Sequence, residues 1–175
     1  MKRLTLICLL LAPLAVAKEA PGPFAAVEVA PGIYQIGNTN EGFALNQPSD
    51  FVGGGVGLLV GDEYIVMIDD ALEPTAPALV ELAEEIAGRP IDFVINTHVH
   101  GDHVGGNAYV TEKGALVVSH EQLRARMKED PKLNTGPGAL PVITFSDRMT
   151  FHVNGEQAIA FHVPRAHTDG DAVIH

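Results

Sequence analysis

The sequence predicts a mixed α/β fold, and three observations carry that expectation. Short apolar, β-branched runs alternate with two helix-period segments through the middle of the chain. Strand-like runs without helices between them stand at both ends. The 175 residues are 46% hydrophobic and 19% charged, the make-up of one folded domain and not of a disordered tail.

The first segment stands apart from that domain. Met1-Lys2-Arg3 is basic, Leu4 to Val16 is an apolar run, and Ala15-Val16-Ala17 gives a small-x-small pattern before Lys18. Together they read as a secretory signal peptide over residues 1–17, too short for the ~20 apolar residues of a membrane span. Cleavage there would remove Lys2, Arg3 and Cys8 and leave an acidic chain without cysteine, exported to the periplasm or beyond, with no membrane attachment. Residues 18–26, with Pro21-Gly22-Pro23, read as a flexible lead-in, and residues 27–175 as the folded domain.

Within that domain, Val27–Val29 and Ile33–Ile36 flank the turn pair Pro31-Gly32 and predict a strand-turn-strand opening. Val56–Val60 and Tyr64–Ile68, separated by Gly61-Asp62-Glu63, predict a hairpin that ends at Asp69-Asp70. From Thr75 to Ala87 the period becomes helical: Leu79, Leu82 and Ile86 share a face, and Gly88 with Pro90 closes the helix. Asp92–Thr97 is a further strand, followed by a loop rich in glycine and histidine, and Ala115–Val118 is the next. Ser119 with Gln122 predicts a capping box for a helix over Glu121–Glu129, whose end carries Arg124, Arg126 and Lys128. Residues 130–141 form a Pro/Gly loop, and Val142–Phe145, Met149–Val153 and Ala158–Val163 are short strands.

Charge narrows the partners. Eleven Lys and Arg stand against 22 Asp and Glu, for a formal net charge of −11. A phosphate-binding surface needs Lys and Arg to displace counterions, and a basic amphipathic anchor needs them at the membrane, so neither nucleic acid nor membrane is expected as a partner.

The histidines carry the chemistry. All eight lie at or after position 98, three of them in His98-Val99-His100-Gly101-Asp102-His103. His98 and His100, two apart, project to one side of an extended strand end. Gly101 lets the chain turn and aim Asp102 and His103 at the same place. The three imidazoles repel one another when protonated and all four side chains resist burial, and a divalent cation relieves both costs by taking imidazole nitrogen and carboxylate oxygen as ligands. A solvated His-rich loop is the plain alternative. A second loop, His167-Thr168-Asp169-Gly170-Asp171, also follows a strand and could bring a third imidazole to His98 and His100.

Asn96-Thr97-His98-Val99-His100-Gly101-Asp102-His103-Val104-Gly105-Gly106-Asn107 resembles the signature loop of the metallo-β-lactamase superfamily. Gly57-Leu58-Leu59-Val60 through Ile68-Asp69-Asp70 is similar to that family's opening hairpin and its acidic end, and His167-Thr168-Asp169-Gly170-Asp171 to its third motif. The likeness runs from about Val27 to His175.

It implies a four-layer αβ/βα sandwich with metals at one edge between two sheets. His98, His100 and His167 would hold one zinc; Asp102 and His103 would hold part of a second, with Asp102 also acting as the catalytic residue that orients the attacking water. Two cations ~3.5–4 Å apart lower the pKa of a bridging water and polarise a carbonyl oxygen. The implied activity is therefore hydrolysis of a carbonyl-type bond in a small-molecule substrate by metal-bound hydroxide. A β-lactam is one candidate substrate. A thioester of the glyoxalase II kind is a second, and an export signal weighs against it.

The family pattern continues with a bridging Asp and a last His. Neither has a visible counterpart before His175, so one zinc is better supported than two, the second half of the sandwich is expected to be incomplete, and apolar strand faces are expected at the surface. Two rival readings stay open: a non-catalytic metal- or partner-binding fragment of the same fold, and a di-iron protein.

Other features recede. Gly53-Gly54-Gly55-Val56-Gly57 lacks nucleotide-loop spacing and reads as turn glycines. His120-Glu121 begins like a zincin helix, but Arg124 stands where the second His belongs. His152 and His162 read as structural or surface residues. Asp69, Asp70 and Asp171 are candidates for orienting a ligand histidine from behind.

Overall fold

The computed structural model describes residues 23–38 and 53–175. The expected signal peptide, 1–17, and the lead-in as far as residue 22 lie outside the described residues.

Seven strands line up in sequence order in one sheet: β1 (Phe24–Ala30), β2 (Ile33–Asn38), β3 (Val56–Val60), β4 (Ile65–Ile68), β5 (Phe93–Ile95), β6 (Leu116–His120) and β7 (Ile143–Phe145). β1 to β4 form an antiparallel meander, and β4 to β7 run parallel. Parallel neighbours need a crossover. Here the crossovers carry α1 (Ala76–Ala87), then α2 (Gly101–Val104) with α3 (Asn107–Glu112), then α4 (Glu121–Glu129). A second, antiparallel sheet has the order β10-β9-β8, from β8 (Arg148–Val153), β9 (Glu156–His162) and β10 (Ala172–Ile174).

Strand alternation sorts the core into two sides of the large sheet. Ile65 and Met67 of β4, Val94 of β5 and Val117 of β6 join Leu79, Val80 and Ala83 of α1 in one buried cluster. Val66, Ile95 and Val118, one residue out of phase, face the other way and meet Phe151, Val153, Ala158 and Ala160 of the small sheet. The described residues thus build three of the four expected layers: helices, large sheet, small sheet. Apolar surface remains open, as at Ile33, Phe161 and Val173. Ile33 and Val173 line an apolar cleft that also takes in Leu59, Ile68 and Ala172 from the two sheets.

Local chemistry sets the element ends. α1 has proline in its first turn and stops at Gly88, whose φ of 72° lets its N–H reach the Glu84 carbonyl. Asn154 and Gly155, both at positive φ, make the tight turn between β8 and β9. The Asn154 side chain also accepts from the Glu63 and Tyr64 N–H groups and donates to the Tyr64 carbonyl, tying the small sheet to the turn before β4.

Three expectations need correction. β1 begins at Phe24, inside the expected lead-in, because Phe24 is 2% exposed and its burial outweighs the preceding Pro-Gly-Pro. The glycine- and histidine-rich stretch is not all loop: α2 and α3 form there, of four and six residues, too short for an apolar period to register. α4 is capped not by Ser119 but by His120, whose Nδ1 accepts from the Gln122 N–H, while the buried Ser119 hydroxyl donates to the His120 carbonyl.

Candidate metal centre

The site gathers where β4 and β5 end. After Ile68 the backbone enters the left-handed region at Asp69 (φ 64°) and again at Ala71 (φ 63°). An aspartate tolerates that conformation better than most residues. It turns the Asp69 carboxylate, nearly inaccessible to solvent, toward the residues that follow β5.

Asp69 organises two of the predicted ligands. Its Oδ1 accepts the Thr97 N–H at 2.7 Å, and its Oδ2 accepts the Thr97 hydroxyl at 2.7 Å and His103 Nδ1 at 2.7 Å. Thr97 Oγ1 already donates its hydroxyl hydrogen to Asp69, so at 3.1 Å it accepts from Nδ1–H of His98. That tautomer leaves the Nε2 lone pair of His98 open. Burial, then the neighbouring His103, lowers the pKa of His98 and favours the neutral, ligating imidazole.

His100 follows in extended backbone as the N-cap of α2, its carbonyl accepting from the His103 and Val104 N–H groups. The His98 and His100 rings lie 5.0 Å apart, nearly perpendicular. His167 arrives from the loop between β9 and β10, with its ring 4.9 Å from His98 and 4.7 Å from His100. His167 Nε2 comes within 3.0 Å of His100 Nδ1. One nitrogen from each of the three falls within 4.8 Å of the others. Lone pairs facing one another at that range repel unless a proton or a cation lies between them. Three converging imidazoles match the donor set that zinc takes.

Asp102 and His103 sit beside this cluster but turn toward each other. The His103 ring is 3.9 Å from that of His98. Its Nε2 lies 3.1 Å from Asp102 Oδ2 and its Nδ1 on Asp69. Burial opposes the charge on His103, but the two carboxylates outweigh it and raise the pKa above the usual histidine value. The pair thus stands at one flank of the three histidines, outside their cluster, with both His103 nitrogens facing carboxylates.

Below the loop, Asp70 Oδ1 accepts the Gly106 N–H, and the Asp70 N–H donates to the His103 carbonyl. Burial pushes the Asp70 carboxyl well above the usual range. Asn96 Nδ2 donates to the same His103 carbonyl. Val104, Leu123 and Met127 form a small buried cluster joined by Val99 and Leu133, which seats the ligand loop on α4.

Two contributors were not evident in the sequence. Thr97 carries the relay from Asp69 to His98 but reads there as the end of a strand. Gly54 reads as a turn glycine, yet a Cβ there would lie 2.4 Å from His103 Cε1, and its N–H donates to the Asp102 carbonyl at 3.1 Å. His120 is engaged elsewhere: besides capping α4 it meets the Ser146 carbonyl through Nε2 at 3.0 Å and stacks on His162 at 3.8 Å. His152 is exposed.

The model of the metallo-beta-lactamase superfamily matches residues 50–175. A hydroxyacylglutathione hydrolase from Pelagibacter ubique is 35% identical over 81 residues, which are 46% of this chain and 29% of that protein. Among solved structures, a metallo-beta-lactamase from Pontibacter korlensis superposes with a TM-score of 0.69 at 20% identity, covering 87% of this chain and 66% of its own. The metallo-beta-lactamase FIM-1 from Pseudomonas aeruginosa, in its mono-zinc form, gives 0.67 at 16% identity, covering 87% and 64%. The chain therefore spans under a third of the curated relative and about two thirds of these structures.

Proposed function

The chain belongs to the metallo-β-lactamase superfamily, whose members are generally hydrolases, and we propose that it is an exported zinc hydrolase whose metal rests on His98, His100 and His167. One observation carries the proposal: His167, from the loop that follows β9, meets two histidines that follow β5 with all three donor atoms inside 4.8 Å. The mono-zinc form of FIM-1 supports zinc as the ion to test first.

A bound zinc supplies a water of lowered pKa and a positive centre that polarises a carbonyl oxygen. The protein's own residues do the rest. Asp69, through Thr97, holds His98 in the tautomer with Nε2 free. Asp102, at the start of α2, partly open to solvent and 3.1 Å from His103 Nε2, would accept a proton from an attacking water and orient it. His103, fixed between Asp69 and Asp102, completes with Asp102 the flank that would receive a second ion.

The reaction class is hydrolysis of a carbonyl-type bond in a small molecule. The names of the relatives point to β-lactams and to a glutathione thioester, and reading residues 1–17 as a signal peptide supports the first. Elemental analysis of the purified chain should return about one zinc, and a panel of chromogenic cephalosporins, thioesters and activated esters should show turnover that chelator and His98→Ala abolish. Zinc binding without turnover on any member would favour the non-catalytic reading. Bound iron with visible colour would favour the di-iron one.

A further inference from the structure

The three histidines of the cluster are not held alike. The His98 ring is tied through Thr97, and the backbone of His100 is fixed at the start of α2. His167 is exposed and stands in a bend, outside any helix or strand. We propose that Asp171 is its positioning residue, closing the loop His167–Asp171 from within and setting the direction in which His167 enters the cluster. This rests on reading His167 as a metal ligand.

The geometry is specific. Asp171 Oδ2 accepts the His167 N–H at 2.6 Å, and Oδ1 accepts both the N–H of Thr168, at 2.9 Å, and its hydroxyl. Three donors therefore converge on one carboxylate that is 9% exposed. Burial works against ionisation, but the Thr168 hydroxyl and the two N–H groups prevail and hold the carboxyl below its usual pKa.

Asp171 is itself fastened. Its carbonyl accepts from the Val163 N–H at 2.9 Å and from Nδ1 of His162 at 3.0 Å, and His162 is braced by its stack on His120. The next residue, Ala172, donates its N–H to the carbonyl of Thr97 at 2.8 Å. The carboxylate that aims His167 thus stands next to a hydrogen bond onto the residue that aims His98. Gly170 lets the loop lie flat on α4, since a Cβ there would meet Leu123 N at 2.5 Å.

An alanine at 171 leaves two N–H groups and a hydroxyl without their acceptor and frees the loop to swing. An asparagine restores an oxygen for one side but presents an amide N–H to the other, so it recovers the function only in part. Zinc affinity of the full chain, read by competition with a chromophoric chelator, should fall about 10–100-fold in Asp171→Ala and less in Asp171→Asn. The absorption bands of the cobalt-loaded protein should shift with it.

The deciding comparison is the double variant with His167→Ala. If Asp171 acts through His167, the double variant binds zinc as His167→Ala alone does. Losses that add, or an Asp171→Ala affinity within about twofold of the wild type, would overturn the assignment. Should Asp171→Ala not fold, judged by circular dichroism, Asp171→Asn carries the same cycle. A wild-type chain that binds no zinc would instead overturn the metal reading itself, a result distinct from a zinc-binding wild type that ignores Asp171.

Discussion

Asp69 Oδ2 and His103 Nδ1 lie 2.7 Å apart, and the same oxygen accepts the hydroxyl of Thr97, whose oxygen faces His98 Nδ1. One carboxylate at the end of β4 therefore sets a ring in the three-histidine cluster and a ring on its flank. Asp69→Ala should weaken zinc binding by about 10–100-fold. It should also destabilise the metal-free fold by about 1–3 kcal/mol, the range for a buried polar partner removed. Chelator competition and urea unfolding in EDTA measure the two effects.

The raised pKa of His103 gives metal-free stability a pH dependence of known sign. A histidine whose pKa is higher folded than unfolded contributes fully below the unfolded value of about 6.5, and the contribution disappears as pH rises through the folded value. The difference in urea midpoint between the wild type and His103→Gln, measured in EDTA, should therefore shrink from pH 6 toward pH 9. His98, shifted down in part by His103, contributes with the opposite sign, and its coupling to His103 offsets part of that difference.

Gly54→Ala tests a contact that has no other plausible relief. The added methyl would sit 2.4 Å from the His103 ring, so the ring or the loop must move. Overpacking of this kind costs about 1–3 kcal/mol. The expected result is a lower urea midpoint with zinc on His98, His100 and His167 retained, read from the cobalt spectrum.

Leu123 is fully buried in the small cluster under the ligand loop, and its backbone is the surface against which Gly170 lies. Leu123→Ala should cost about 2–5 kcal/mol, as other buried leucine truncations do. Because both ligand loops rest on this spot, zinc affinity should fall together with thermal stability. An equal truncation at Leu79, on the helix side of the sheet, should lower stability and leave affinity nearly unchanged.

Metal removal should move stability by mass action. At a zinc concentration a hundred times Kd, binding to the native state alone adds about 2.7 kcal/mol. Melting curves with and without EDTA should separate accordingly, and those of His167→Ala should nearly coincide.

Much of this architecture was legible in the residues because its signals are local. The runs Val56–Val60 and Tyr64–Ile68 gave a hairpin whose paired strands span Val56–Val60 and Ile65–Ile68. Glu121–Glu129 formed the expected helix. His98, His100, Asp102 and His103 fall within six residues, so their proximity needs no tertiary knowledge. What stayed hidden depends on chain segments meeting across the fold. Gly54 and His103 are in contact only once β3 and the loop after β5 lie side by side. The role of Thr97 depends on where Asp69 points after its left-handed turn. His120 replaced Ser119 as the cap of α4 because an imidazole nitrogen can accept as a hydroxyl does, which the preference for Ser, Thr, Asp and Asn does not anticipate.

The two sheets are joined at opposite ends of β4. At the start of the strand Asn154 grips the Glu63–Tyr64 backbone; beyond its end the Ala172 N–H reaches Thr97, and His167 leans over His98 and His100. A cation held by those three side chains would act as a rivet through both sheets, and its seat would gauge their alignment. Coordination sites lose function at offsets of about 1 Å. A small slide of one sheet over the other, from a substitution as remote as Asn154, would register first as a change in how tightly the metal is held.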